Sequence, residues 1–229
     1  VTSGAVAAGR KAVGISKQEQ ENGENSMAIK QACAAIGQAR LMMIYEKLFA
    51  EYSQLTAQIL MTKYTIKDKE SNENAHNTFV QLLKMGVIPI VNENDTVATD
   101  ELGIGDNDTL SAIVANLVGA DLLILLSDID GLYSDDPRTN KDAKFIHLVE
   151  SLTQEYEDMA KESTGSNVGT GGMNTKLTAA KIATKSGADM IIANSADVKI
   201  LGRLVNGAEE GTLFVGNKDA SFNLREFIK

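Results

Sequence analysis

Gly169, Gly171 and Gly172, followed by Lys176, form the run Val168-Gly-Thr-Gly-Gly-Met-Asn-Thr-Lys176, just ahead of a stretch with helical period. Glycine lacks a Cβ, so such a run can bend through positive φ and bring bare N–H groups close to an anion, while a helix start adds partial positive charge. Lys176 supplies a full charge one turn further in. The chemistry these residue types point to is phosphate binding, although a Gly-rich run before a helix also serves as a plain connection.

Four other segments carry polar groups at strand ends, helix starts or turns. Thr2-Ser3-Gly4-Ala5-Val6-Ala7-Ala8-Gly9 is rich in small residues that let a backbone approach a ligand closely. The Ser3 hydroxyl there either holds a carboxylate or caps a helix. Asn92-Glu93-Asn94-Asp95 follows an apolar run and suits an ammonium group and amide dipoles, while Asn and Asp also serve ordinary turns. Gly105-Asp106-Asn107-Asp108 precedes a helix, where capping accounts for one aspartate and leaves a second to orient lysines or bind an ammonium. A metal on that acid pair is the lesser option, because no oxygen cage surrounds it. Ser127-Asp128-Ile129-Asp130-Gly131-Leu132-Tyr133 closes an apolar run and leads to Asp135-Asp136-Pro137-Arg138. It is no calcium loop, since the residue at loop position twelve is Thr139 rather than Glu. A nucleotide-contacting turn and a plain Asp-Gly turn both stay open.

The elements that must position these groups alternate between short apolar runs and stretches of helical period, which predicts an α/β chain with a mostly parallel sheet. Strands are expected over Gln58–Met61, Val87–Val91, Leu122–Leu126, Met190–Ala193 and Thr212–Val215. Pairing in the second of these is expected to start after Pro89, which has no N–H to donate. Ile29, Cys33, Ile36, Leu41, Ile44 and Leu48 fall on one broad face of a long helix. Phe79, Leu82 and Leu83 mark a helix ended by Gly86, and Leu110, Ile113, Val114 and Leu117 another ended by Gly119. Two more helices are expected, from about Asn174 to Lys185 and from Asp197 to Val205. The polar stretch Ser16–Ser26 reads as an exposed loop or hairpin.

A chain of 229 residues with 43% hydrophobic and 23% charged residues fits one soluble α/β domain. Its apolar runs fall far short of the roughly 18–20 residues of a membrane span. A net charge of −9 without a basic run repels nucleic acid and anionic membranes, so an anionic substrate needs local N–H groups and single lysines. The lone Cys33 fits a reducing compartment, and two histidines, His76 and His147, exclude a His-rich metal site.

In their order, Thr2-Ser3-Gly4-Ala5, Val91-Asn-Glu-Asn-Asp95, Gly105-Asp-Asn-Asp108, Ser127-Asp128 with Gly131-Leu-Tyr133, Asp136-Pro-Arg138, Gly169-Thr-Gly-Gly-Met173 with Lys176, and Gly211-Thr-Leu-Phe214 resemble the amino acid kinase family. The resemblance spans nearly the whole chain. Its Asn-Glu-Asn-Asp and Gly-Asp-Asn-Asp segments are similar to the glutamate-phosphorylating branch rather than to acetylglutamate, aspartate, carbamate or uridylate kinases. What this implies is a three-layer αβα sandwich around a mostly parallel sheet, with residues 1–229 as one amino acid kinase domain. The implied reaction moves the γ-phosphoryl group of ATP to the γ-carboxylate of L-glutamate, giving L-glutamyl 5-phosphate, the first step of proline biosynthesis.

By the same resemblance, Lys176 neutralises charge on the transferring group and Asp108 orients lysines. Ser3, Asp95 and Asn107 grip glutamate, with Asp106 beside them. Ser127, Asp128, Thr170, Gly171, Gly172, Met173, Asn174, Thr175 and Lys176 contact the nucleotide, and Mg²⁺ bridges phosphates mainly through water and ATP oxygens, without a protein metal site. The resemblance also implies proline as feedback inhibitor, a homodimer or homotetramer, a transient contact with glutamate-5-semialdehyde dehydrogenase, and a cytoplasmic location. A first strand and helix with a Lys-x-Gly phosphate site are expected before Val1, and no PUA domain after Lys229. Two alternatives remain: another amino acid kinase, acting on acetylglutamate or a nucleoside monophosphate, or an inactive module that binds glutamate or proline.

Overall fold

The computed structural model describes residues 1–22, 25–99, 106–156, 159 and 172–228. They form two units, residues 1–107 with Ile228, and residues 108–227.

The first unit is governed by a close helix crossing. Helix α1 (Ala5–Val13) starts after Gly4, whose φ of +94° is a left-handed conformation that a side chain would strain. Helix α2 (Lys17–Asn22) lies where a loop or hairpin is expected. Its signal is a capping box: the Ser16 N–H donates to Glu19 Oε2 and the Glu19 N–H to Ser16 Oγ. Helix α3 (Ser26–Ala50) packs against α1 through Gly9 and Gly37. A Cβ on Gly9 would collide with the Cys33 carbonyl, and one on Gly37 with the Ala5 carbonyl.

That crossing corrects the expected face of α3. Its buried residues are Cys33, Ala34, Gly37 and Gln38, whereas Ile36, Met43, Ile44 and Leu48 are exposed. Two backbones this close admit only small side chains, so the buried stripe shares Cys33 with the apolar period but leaves Ile36, Ile44 and Leu48 outside it.

Strand β1 (Thr56–Met61), helices α4 (Lys63–Lys67) and α5 (Lys69–Lys84) and strand β2 (Ile88–Glu93) complete the unit. The two strands pair in parallel from Thr56↔Ile88 to Met61↔Glu93, so pairing includes Pro89. Ile88 donates its N–H to Leu55 on the β1 side, while Val91, two residues after Pro89, turns its carbonyl to the Thr2 N–H. Successive residues face opposite edges, so the missing N–H of Pro89 falls on the side away from β1 and costs that ladder nothing.

The second unit starts with helix α6, which runs from the boundary as Asn107–Val118 and buries Leu110, Ala112 and Ile113. Strands β3 (Leu122–Ser127), β4 (Leu132–Tyr133), β5 (Phe145–Ile146) and β6 (Leu148–Val149) follow. Helix α7 (Met173–Ser186), strand β7 (Asp189–Asn194), helix α8 (Ile200–Val205), strand β8 (Thr212–Phe214) and helix α9 (Leu224–Phe227) come after them. One sheet has the order β3-β7-β8-β6, parallel except between β7 and β8; β4 and β5 form a small antiparallel pair. Ile182 on α7 and Met190, Ile192 and Phe214 on the sheet are fully buried. This is the mixed α/β class with mostly parallel pairing, and each expected strand lies within two residues of an observed one.

The glycines divide into two classes by what surrounds them. Gly9→Ala and Gly37→Ala should each destabilise the chain by about 1–3 kcal/mol or more, because the added methyl meets backbone. Gly202, inside α8 with no atom within 4 Å of a Cβ, should gain about 0.5–1 kcal/mol as alanine. Urea unfolding midpoints of the three variants measure this ordering.

Candidate functional site

In the second unit the expected phosphate helix is α7, which starts at Met173 after Gly172. Lys176, one turn in, is only 6% exposed, and its Nζ lies 2.9 Å from Asp108 Oδ2. Thr175 Oγ1 lies 3.0 Å from the same carboxylate oxygen and 2.8 Å from the Gly172 carbonyl, so its single proton is shared between two acceptors. Asp108 sits in the first turn of α6, where unpaired N–H groups favour a carboxylate. Two helix starts are thus joined through one carboxylate, and a cation is held ready at the mouth of α7. Gly105, Thr170 and Gly171 lie outside the described residues.

The structure places Ser127 and Asp128 at the carboxyl end of β3, opposite Asn194 on β7. Ser127 Oγ donates to Asp128 Oδ1 at 3.1 Å, and the Ser195 N–H donates to the Ser127 carbonyl at 2.7 Å. Asp130 accepts from Asn194 Nδ2 at 2.7 Å, while Gly131 presses against Thr212 and Phe145. Asp130 and Gly131 therefore act as turn residues, and Asp128 stays exposed. Neither Ser127 nor Asp128 bonds to Lys176 or Asp108. Of the other α7 residues, Asn174 is exposed and Met173 half-buried.

In the first unit a chain of amides holds Asn107. Its Nδ2 donates to the Thr2 carbonyl at 2.6 Å and to Asn92 Oδ1 at 3.1 Å. Asn92 Nδ2 donates to Gln38 Oε1 at 3.0 Å, and Gln38 Nε2 to Gln58 Oε1 at 3.1 Å. Ser3, one residue on, is exposed, and its hydroxyl caps nothing, since the residue before α1 is Gly4. Capping thus drops out, and the hydroxyl is available to a ligand. Asp95 is half-buried; burial pushes its carboxyl above the usual carboxylate range, with Lys30 pulling it back. Asp106 is half-buried beside Asn107.

Gln38 is missed by sequence reasoning, which treats the α3 face as apolar. The available signal is its place next to Gly37 and four residues after Ala34, on a stripe of small residues. Among the described residues no three carboxylate, imidazole or thiolate groups gather to hold a metal ion. Asp108, the carboxylate nearest the cation, is already engaged by Lys176 and Thr175. A buried ammonium with a fixed counter-charge at a helix start can stabilise an anion that gains charge as it reacts, and fixed amide dipoles can orient a second polar molecule.

The family model described as "Amino acid kinase family" matches residues 1–194. The chain is 50% identical over 222 residues to a glutamate 5-kinase of Clostridium perfringens (strain 13 / Type A), covering 95% of this chain and 80% of that protein. It is 50% identical over 226 residues to the glutamate 5-kinase of Geobacter metallireducens (strain ATCC 53774 / DSM 7210 / GS-15), covering 99% of this chain and 59% of that longer one. In fold it is similar to the T. acidophilum isopentenyl phosphate kinase product complex, with a TM-score of 0.55, 16% identity, and 86% of this chain and 78% of that one covered.

Removing one member of a buried ion pair takes a counter-charge from the other. Asp108→Ala should lower stability by about 3 kcal/mol, and adding Lys176→Met should restore part of it, because the ammonium that lost this counter-charge is then gone. A double-mutant cycle by chemical denaturation reads this directly.

Proposed function

Since the chain belongs to the amino acid kinase family, we propose that it transfers the γ-phosphoryl group of ATP to the γ-carboxylate of L-glutamate, giving L-glutamyl 5-phosphate for proline biosynthesis. A carboxylate is ionised at neutral pH and attacks without a base, so the protein's task is to position the reactants and to stabilise charge. The observation that carries the reading is the buried Lys176 held by Asp108 at the start of α7.

In this reading Lys176 meets the charge that builds on the transferring phosphoryl group, and Asp108 and Thr175 hold the lysine in place. The nucleotide lies against Gly172, Met173, Asn174, Thr175 and the preceding Thr170 and Gly171, with Ser127 and Asp128 as further contacts. Mg²⁺, entering with ATP, would offset phosphate charge. Ser3, Asp95 and Asn107, with Asp106, bind glutamate: Asp95 as counter-charge to the ammonium, Ser3 through its exposed hydroxyl.

Proline as an inhibitor, a homodimer or homotetramer, and transfer of the labile acyl phosphate to glutamate-5-semialdehyde dehydrogenase go with the same proposal. No described helix is long and apolar enough to cross a membrane, and a cytoplasmic location is part of the proposal.

The full chain with ATP, Mg²⁺, glutamate and hydroxylamine should yield γ-glutamyl hydroxamate. Phosphoryl transfer to acetylglutamate or a nucleoside monophosphate, with none to glutamate, would overturn the reading. Lys176→Met should lower kcat by about 10²–10³ with little change in the KM for glutamate, as expected of a charge felt mostly in the transition state. Asp95→Asn should chiefly raise that KM.

The pH dependence has a definite sign. Glutamate binding needs the Asp95 carboxylate, whose protonation is displaced upward by burial, so the acid limb of kcat/KM should lie above the ordinary aspartate range. Lys30→Met removes the opposing charge and should move that limb to still higher pH, as kcat/KM profiles for the two proteins would reveal.

A further inference from the structure

Both amide protons of Asn107 are used inside the protein. One goes to the Thr2 carbonyl, 2.6 Å from Nδ2, and one to Asn92 Oδ1 at 3.1 Å. A backbone carbonyl only accepts, so turning the amide over would set oxygen against oxygen at Thr2. Thr2 is itself fixed: its N–H donates to the Val91 carbonyl at 2.8 Å, and its hydroxyl accepts from Tyr45 at 2.8 Å. Asn107 Oδ1 has no partner among the described residues. What Asn107 offers a ligand is therefore an acceptor and nothing else.

The second anchor, Asn92, is oriented from two sides. Its Oδ1 accepts the Glu93 N–H at 2.9 Å, and its Nδ2 donates to Gln38 Oε1 at 3.0 Å. Gln38 passes the direction on, donating from Nε2 to Gln58 Oε1. Donation thus runs one way through four amides, from Asn107 to Asn92 to Gln38 to Gln58. Asn92 and Gln38 are 2% and 6% exposed, so water does not readily replace a lost partner.

We infer that Gln38 is a positioning residue for amino-acid selectivity: through Asn92 it keeps Asn107 Oδ1 turned to the ligand, where it accepts from the substrate ammonium. The inference rests on the glutamate-kinase reading. Of glutamate's three charged groups only the ammonium donates, whereas both carboxylates only accept. An Asn107 free to turn would offer its NH₂ and favour a carboxylate. Gln38, two side chains away from the ligand, thereby adds to the Thr2 carbonyl and the Glu93 N–H in holding the preference for the ammonium.

Glutarate, which is glutamate without the amine, separates this role from a general one. KM and kcat for both compounds are measured with the parent chain, Gln38→Met, Gln38→Leu and Gln38→Glu, and melting temperatures show that each is folded. Met and Leu fill the space with different shapes but accept no hydrogen bond, so a packing defect in one does not decide the result. In both, KM for glutamate should rise about tenfold with kcat less affected, while KM for glutarate stays near its parent value. Gln38→Glu keeps an oxygen for Asn92 Nδ2 in either protonation state and should recover most of the discrimination.

Equal losses for glutamate and glutarate, a loss in kcat alone, or no recovery with Gln38→Glu would overturn the inference while leaving the proposed reaction intact. A parent chain that makes no glutamyl phosphate would remove the reaction and the inference with it.

Discussion

A charged amine almost out of reach of water is the condition that the second unit has to meet. Taking an ammonium and a carboxylate out of water costs several kcal/mol each, and their attraction offsets this only when the geometry is good and further hydrogen bonds complete it. Lys176 and Asp108 meet at 2.9 Å, Thr175 adds a donor to the same oxygen, and the first turn of α6 favours the carboxylate. The pair is built before any ligand arrives. In a chain of net charge −9, where the long-range field repels phosphate, such a local fixed cation is what an anionic nucleotide requires.

The first unit solves a different problem with neutral groups. Asn107, Asn92, Gln38 and Gln58 carry no net charge, so burying Asn92 and Gln38 avoids the ionic penalty while still fixing a direction. Backbone groups that cannot reverse anchor that direction: the Thr2 carbonyl, which only accepts, holds Asn107, and the Glu93 N–H, which only donates, holds Asn92. A zwitterionic amino acid calls for this kind of discrimination, since its opposite charges sit a few bonds apart and a misdirected amide would select the wrong one. In the proposed reading the charged contribution comes from Asp95, whose carboxyl burial pushes upward and Lys30 only partly pulls back.

What could be read from the sequence divides along physical lines. Lys176 and Asp108 stood out by residue type at helix starts, but they lie 68 residues apart, and only folding pairs them. The apolar runs within β1, β3 and β7 located those strands well, although of the three only β7 is buried along most of its length. Pro89 misled because the edge to which each strand residue turns depends on the neighbouring strand, which sequence does not reveal. The exposed face of α3 misled for a related reason: periodicity identifies a stripe, whereas the Gly9–Gly37 crossing determines which stripe is covered. A single glutamine such as Gln38 reads as a surface residue until its partners on β1 and β2 are known. By contrast, α2 was within reach, since Ser16 and Glu19 have the spacing of a capping box.

Among the described residues a strongly lowered carboxyl lies in an exposed turn, and the proposed reaction asks for no group tuned to move a proton. The carboxyl driven down to about 2, Asp136, belongs to an exposed turn tied to Arg138, and Asp197 and Glu210 are lowered by Arg203 on the surface. Enzymes that move protons must tune an acid or base toward the working pH. An ionised carboxylate attacking a phosphoryl group needs no such tuning and depends on reach and alignment. The features that bear most on alignment are sterically simple: Gly4 turns the chain into α1, and Gly9 and Gly37 let α1 settle against α3. That contact brings Gln38, next to Gly37, into the amide chain that ends at Thr2 and Asn107. Two missing side chains therefore bear as directly on the amide chain as the polar groups that compose it.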